Sequence, residues 1–151
     1  MPGYVKYLKD LLTKKRSLKH DTVIVTHHVS SILSTTVVQR KEGPGAFTIS
    51  CSVNYHDFSR ALCDNGTSIN LMSLAIYKKS GLGMLRPTTM RLQMADRSIK
   101  RSVGVVDNIL VWVGDFLLPA DFVILDFAVD RDIYIILGRN FLATGRALMD
   151  S

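Results

Sequence analysis

The chain has 151 residues, 47% of them hydrophobic and 21% charged, which suits one domain with its own core. This composition argues against a disordered chain, and no apolar run reaches the ~18 residues of a membrane span. Two cysteines, Cys51 and Cys63, and the lack of a signal-peptide core predict an intracellular, cytoplasmic protein with no membrane partner.

The net charge of +6 is concentrated near the N-terminus. Residues 1–20 hold six Lys or Arg and one Asp, whereas the remainder is nearly neutral. We interpret this basic arm as a solvated helix face, with weak RNA contact as the alternative. Twelve of the 13 acidic residues are Asp, a poorer helix former than Glu, which favours a β-rich body.

The first third of the chain divides into three segments. Apolar residues at helical spacing over 4–12 predict a short amphipathic helix. Residues 21–38 have no clear period and are assigned to an irregular segment. Lys-Glu-Gly-Pro-Gly (41–45) is typical of a linker. We therefore predict a basic N-terminal extension over 1–43 and a folded domain over 44–151.

From Ala46 onward the sequence is dominated by short strand patterns. Alternating or continuous apolar residues predict strands at 47–53, 58–63, 90–94, 103–105, 109–113, 116–118, 121–126 and 133–137. Gly114-Asp115 is expected to form a hairpin turn. Helical patterns in this region are confined to about 73–80 and 140–144. Many short strands with regular turns favour an all-β barrel or sandwich.

A weak internal repeat accompanies these patterns. An apolar strand leads to a glycine-bearing loop at Asp64-Asn65-Gly66, and another does so at Leu137-Gly138-Arg139, each followed by a short helix. This predicts two similarly built halves.

The most informative segment is Asp64-Asn65-Gly66-Thr67-Ser68, which directly follows the apolar run Ala61-Leu62-Cys63. Asn-Gly between apolar strands also indicates a simple hairpin, which is the alternative interpretation. Cys63 is expected to be a small buried hydrophobe rather than a nucleophile. The pair His27-His28 is not expected to bind metal, because neighbouring side chains on a strand point apart.

An Asp after an apolar strand, followed by Gly and hydroxyl residues, resembles the active-site loop of retroviral-type aspartic proteases. A second hallmark of that family, apolar-apolar-Gly-Arg-Asn before a short helix, appears as Ile136-Leu137-Gly138-Arg139-Asn140. The stretch 44–150 further resembles the protease region of plant gypsy-class retrotransposon polyproteins. The blocks that carry this resemblance are Pro-Gly-Ala-Phe-Thr-Ile (44–49), Ala-Leu-Cys-Asp (61–64), Ser-Ile-Asn-Leu-Met (68–72), Arg-Leu-Gln-Met-Ala-Asp-Arg-Ser-Ile-Lys (91–100) and Phe-Leu-Ala-Thr-Gly-Arg-Ala-Leu (141–148).

The resemblance implies a retropepsin-like closed barrel, with one lobe per protomer, a short C-terminal helix and an N-terminal helical extension. It implies a homodimer in which each subunit supplies Asp64, because the chain has one Asp-x-Gly loop. The expected activity is hydrolysis of peptide bonds in its own polyprotein, without metal or other cofactor. The basic arm would contact RNA or the capsid precursor, if it has a partner.

The family pattern also assigns roles to further residues of this chain. Support of the catalytic loop is expected from Asn65, Gly66, Thr67 and Ser68, with the hydroxyl of Ser68, or that of Thr67, hydrogen-bonding the carboxylate or bracing the loop. A substrate-covering flap is expected over 90–105, with its tip at Ala95, Asp96, Arg97 and Ser98. Bracing of the loop and of the dimer is expected from Gly138, Arg139 and Asn140.

Three residues depart from that pattern. Asn65 replaces the usual Thr or Ser, Thr67 replaces Ala, and Ser73 stands where the plant branch has Pro. The sequence ends at Ser151, soon after the expected start of a last strand that family members continue, which would weaken dimerisation. These departures keep a second hypothesis open: a catalytically inactive dimerisation or binding module on the same fold, from a decayed element copy.

Overall fold

The computed structural model describes residues 22–33, 46–128 and 133–149. The strands in these ranges are β1 (Thr22–Ile24), β2 (Ala46–Val53), β3 (His56–Asp64), β4 (Asn70–Ser73), β5 (Arg91–Gln93), β6 (Ile99–Arg101), β7 (Gly104–Val113), β8 (Phe116–Leu125) and β9 (Ile135–Leu137). The helices in these ranges are α1 (His27–Leu33), α2 (Leu74–Ser80) and α3 (Arg139–Met149). None of these helices is long and apolar enough to cross a membrane. The helix predicted at 4–12 and the linker at 41–45 lie outside the described residues.

Six strands form a closed barrel in the order β2-β3-β9-β4-β8-β7, and β1, β5 and β6 form a separate small sheet. Pairing of Ser52 with Trp112 and of Val53 with Val111 closes the barrel. The predicted all-β barrel with a short C-terminal helix is therefore confirmed. Its interior is an apolar cluster that includes Val53, Met72, Phe122 and Ile135, each with no exposed surface.

The barrel is built from two similar halves. A hairpin, a short strand and a helix occur in that order twice, as β2-β3-β4-α2 and as β7-β8-β9-α3. Each short strand pairs in parallel with a hairpin strand of the other half, β9 with β3 and β4 with β8. The predicted repeat exists, but the two loops that the sequence analysis matched, at 64–66 and 137–139, do not occupy equivalent positions in the two halves. By position, Asp64 at the end of β3 corresponds to the end of β8, and Gly138 before α3 corresponds to Ser73 before α2.

Two hairpins of the barrel have tight turns, of which the one at Gly114-Asp115 was predicted. β2 and β3 are joined by Asn54 and Tyr55, whose φ angles of 47° and 69° suit a tight two-residue turn. β7 and β8 are joined at Gly114-Asp115, where Gly114 has φ of 58°.

Three predicted boundaries are wrong. The runs 103–105 and 109–113 form one strand, β7. The runs 116–118 and 121–126 form one strand, β8. Pro119, between them, has no amide hydrogen to donate, but it lies where β8 pairs with β7 and not with β4, so it does not interrupt the strand. The chain near its end is helical to Met149 rather than entering a strand, since Ala143, Ala147 and Leu148 favour a helix.

Residues 21–38 were expected to be irregular, but 22–33 form β1 and α1. His27 and His28 therefore lie on a helix, not on a strand. β1 pairs in parallel with β5, which attaches this part of the predicted N-terminal extension to the folded domain.

Candidate active site

Asp64 is the last residue of β3, at the point where that strand leaves the barrel. β9 lies beside it, with Leu62 opposite Ile136 and Cys63 opposite Leu137. Since β9 separates β3 from β4, residues 65–69 cross the end of β9 to reach β4. The Asn65-Gly66 segment is therefore not a two-residue hairpin, and neither residue has a positive φ.

The Asp64 carboxylate is 2% exposed and accepts two hydrogen bonds. Its Oδ1 accepts from the Gly66 amide at 2.9 Å. Its Oδ2 accepts from the Thr26 hydroxyl at 2.5 Å. A Cβ on Gly66 would lie 2.7 Å from Thr26 Cγ2, so this contact requires glycine. The carboxylate is thus held by its own loop and by a residue 38 positions earlier.

The other expected loop residues are placed differently. Asn65 is exposed, and Ser68 is half-buried. Thr67 is fully buried, and its hydroxyl has no hydrogen-bond partner among the residues described. The hydroxyl donor that we expected at Ser68 or Thr67 is supplied instead by Thr26.

The Gly138-Arg139 segment packs directly against the Asp64 loop. The Arg139 amide donates to the Thr67 carbonyl at 2.7 Å. A Cβ on Gly138 would overlap the Ile69 carbonyl oxygen and lie 2.7 Å from that of Thr67, so only glycine fits. The Arg139 and Asn140 side chains are exposed at the start of α3.

Asn70 completes this brace, a role that the sequence did not reveal. Its side-chain oxygen accepts from the Gly138 amide at 2.8 Å, and its side-chain nitrogen donates to the Asp121 carbonyl at 3.1 Å. One amide group therefore connects β4, β8 and the turn before α3. An Asn at the start of a strand carries no local signal of such long-range bonding.

The expected flap is a hairpin of β5 and β6. Its turn is closed by the Met94 amide donating to Ser98 O at 2.8 Å, and Arg97 has φ of 70°. Hydrogen bonds from the Ser98 hydroxyl and amide lower the pKa of Asp96. The Ala95 amide donates to Ser30 Oγ at 3.0 Å, so the tip of the hairpin is attached to α1.

An apolar cavity of about 570 Å³ lies beside the Asp64 loop. We call it the α3 groove; Phe47, Cys63, Asn65, Phe141 and Leu142 are among its lining residues. Burial raises the pKa of the Cys63 thiol to about 12, with a smaller contribution from Cys51. Cys63 therefore remains a neutral thiol, and its expected role as a buried hydrophobe is confirmed.

The described ranges contain no group of three or more His, Cys, Asp or Glu side chains placed to hold a metal ion.

No family model matches the chain, and no curated protein matches it either. Among solved structures, it is similar to the retroviral protease-like domain of Ddi1 from Leishmania major. The sequence identity is 19%, the TM-score is 0.49, and the match covers 66% of this chain and 76% of that one.

Proposed function

We propose that this chain is an aspartic endopeptidase domain with a retropepsin-like barrel. The observation that carries the proposal is the contact between its two sequence motifs. The Asp64 loop and the Gly138-Arg139 turn, far apart in sequence, are joined by the hydrogen bond from the Arg139 amide to the Thr67 carbonyl at 2.7 Å. This brace fixes a carboxylate at the end of a buried strand.

Catalysis requires a second carboxylate, which a second copy of the chain would supply. Two carboxylates at close range hold one proton between them, since both cannot ionise. The ionised one takes a proton from water as the water oxygen attacks the peptide carbonyl carbon. The protonated one gives its proton to the carbonyl oxygen. The carboxyl group that took the water proton then gives it to the peptide nitrogen, and the other carboxylate takes a proton from the diol intermediate. The C–N bond breaks and the original pair is restored.

Two features support a homodimer. The sequence has one Asp-x-Gly loop, so a single chain cannot form the pair of carboxylates. Next to that loop, the α3 groove presents apolar surface, and Phe47 at its edge is 50% exposed. A symmetric contact through this face would bring the two Asp64 loops toward one axis.

The matching sequence blocks support an origin in a plant gypsy-class retrotransposon polyprotein, whose cleavage sites would be the substrate. The hairpin of β5 and β6, with Ala95, Asp96, Arg97 and Ser98 at its tip, would cover the bound peptide.

Cleavage of a peptide library at about pH 5, where a carboxylate pair can share a proton, tests this function. We expect cleavage that a statine-type transition-state mimic inhibits and that Asp64→Asn abolishes. Asp57→Asn, an exposed Asp on the same strand, is the matched control and should retain activity. Absence of cleavage by a folded dimer with an accessible site would contradict the proposal.

The burial of Asp64 beneath Thr26 favours one alternative, an inactive dimerisation or binding module. That alternative predicts a folded dimer whose properties Asp64→Asn leaves unchanged.

A further inference from the structure

We infer that residues 22–33, which we call the covering segment, act as an intramolecular inhibitor that closes the Asp64 site. The inference rests on the proposed function, because it names the cleft for peptide substrate as the place that this segment occupies. It follows from three sets of contacts and from the independence of the barrel from this segment.

The covering segment contacts the catalytic group itself. The Thr26 hydroxyl donates to Asp64 Oδ2 at 2.5 Å, and its methyl group packs against Gly66. A water that attacks a peptide must hydrogen-bond to this carboxylate. With Thr26 in place, Asp64 is 2% exposed and that position is filled.

The segment also uses the hydrogen bonds that an extended peptide would use. Thr22, Val23 and Ile24 pair in parallel with β5 of the flap hairpin. The Val25 amide donates to the Gln93 carbonyl at 3.0 Å, and Ser30 Oγ accepts from the Ala95 amide at 3.0 Å. A peptide that adds a strand to this edge needs the same backbone groups.

Aliphatic side chains of the segment fill the space between the flap hairpin and the barrel. Val25, Val29, Ile32 and Leu33 are at most 5% exposed. The side chains that they join in one cluster come from β3, β4, β5 and β9: Leu62, Leu71, Leu92 and Ile136. Removal of the segment would expose an apolar cleft beside Asp64, suited to a peptide with aliphatic residues.

The barrel does not need the segment for its own closure. None of residues 22–33 belongs to the six barrel strands or to the interior cluster. The segment lies on the outer side of β3, β4 and β9, and Ile24 is 69% exposed. Its release would therefore leave the closed sheet and its interior intact.

The test compares two substitutions in the full chain that add the same charge to the same segment. Val29→Asp places a carboxylate at a position with no exposed surface and should displace the segment. Ile24→Asp changes an exposed side chain and is the matched control. Binding of a fluorescent statine-type peptide at about pH 5 measures access to the site without requiring turnover.

We expect Val29→Asp to bind this probe at least about tenfold more tightly than the unaltered chain, because a closed site lowers apparent affinity by the open fraction. Ile24→Asp should bind as the unaltered chain does. A synthetic peptide of residues 22–33 should compete with the probe on Val29→Asp, and the same peptide carrying Val29→Asp should not. Thr26→Val, which removes only the hydroxyl donor, should increase binding about threefold.

Three outcomes would overturn the inference. One is unchanged probe binding although hydrogen exchange shows that the segment has left. Another is loss of the barrel in Val29→Asp, judged by circular dichroism, which would make the segment a structural part of the core. The third is no probe binding by any folded variant, which would contradict the proposed function as well. Tighter probe binding by Val29→Asp without cleavage would support the inhibitory role of the covering segment and contradict the proposed peptidase function. Equal cleavage by all variants would support the peptidase function and contradict the inhibitory role.

Discussion

At the scale of single residues, the Asp64 carboxylate accepts hydrogen bonds from one donor in its own loop and from one donor far away in sequence. The Gly66 amide is local, and the Asp-x-Gly pattern pointed to it. The Thr26 hydroxyl belongs to a segment without a recognisable sequence pattern. No sequence pattern predicts the hydrogen bond between the Asn70 side chain and the Gly138 amide either. Local spacing identified the candidate catalytic group but not the side chains that surround it.

The close contact of Gly138 with the Asp64 loop leads to a prediction about stability. Gly138→Ala should lower the free energy of unfolding by about 1–3 kcal/mol or more, because its Cβ would overlap backbone oxygen atoms that cannot move freely. Urea denaturation measures this. Gly145→Ala is the control: its Cβ would lie 3.4 Å from Leu118 Cδ1, an ordinary contact, within α3. It should raise stability by about 0.5–1 kcal/mol. Equal effects of the two substitutions would contradict the packing that we describe.

At the scale of elements, the hairpins and α2 could be predicted because their signals are local. Asn54-Tyr55 and Gly114 adopt positive φ angles at turns, and Ser73 caps α2. Local signals could not predict that two apolar runs join into β8. They also could not predict that residues 22–33 form a strand and a helix. The first depends on the pairing of β8 with β4 and the second on the pairing of β1 with β5, and both partners lie far away in sequence.

Ser73, one of the departures from the family pattern, has a specific role at this scale. Its hydroxyl accepts from the Ile76 amide at 3.3 Å, and its own amide donates to the Tyr134 carbonyl at 3.0 Å. Ser73→Ala removes the cap and should cost about 1 kcal/mol of unfolding free energy. Ser73→Pro should cost more, because it also removes the amide donor. Thermal denaturation of both variants distinguishes these effects, and a smaller loss for Pro than for Ala would refute the second contact.

At the scale of the whole molecule, the barrel brings two separate motifs together and leaves apolar surface beside them. The α3 groove adjoins the exposed Asn65, whereas the covering segment lies at the flap hairpin. In our proposals, the α3 groove is the face that would contact a second copy, and the cleft at the flap hairpin is the one that the covering segment fills.

This division predicts which surface controls dimerisation. Phe47→Asp should weaken the dimer at least about tenfold, because it places a charge on the apolar surface that lines the α3 groove. Leu110→Asp, in β7 and 53% exposed, alters a comparable side chain outside the groove and should leave the dimer unchanged. Sedimentation equilibrium over a range of concentrations measures both. If only Leu110→Asp weakens the dimer, the interface does not lie at the α3 groove.

The sequence by itself determined the β-rich character of the domain, the short C-terminal helix, the main turns and, through the family resemblance, Asp64 as the candidate catalytic group. These depend on alternation, turn residues and a compact motif, all of which act over a few neighbouring residues. The tertiary structure alone decided what contacts Asp64. A parallel strand pair at β1 and β5 and a hydrogen bond from Thr26, 38 residues before Asp64, leave no local pattern, because they exist only once the chain has folded.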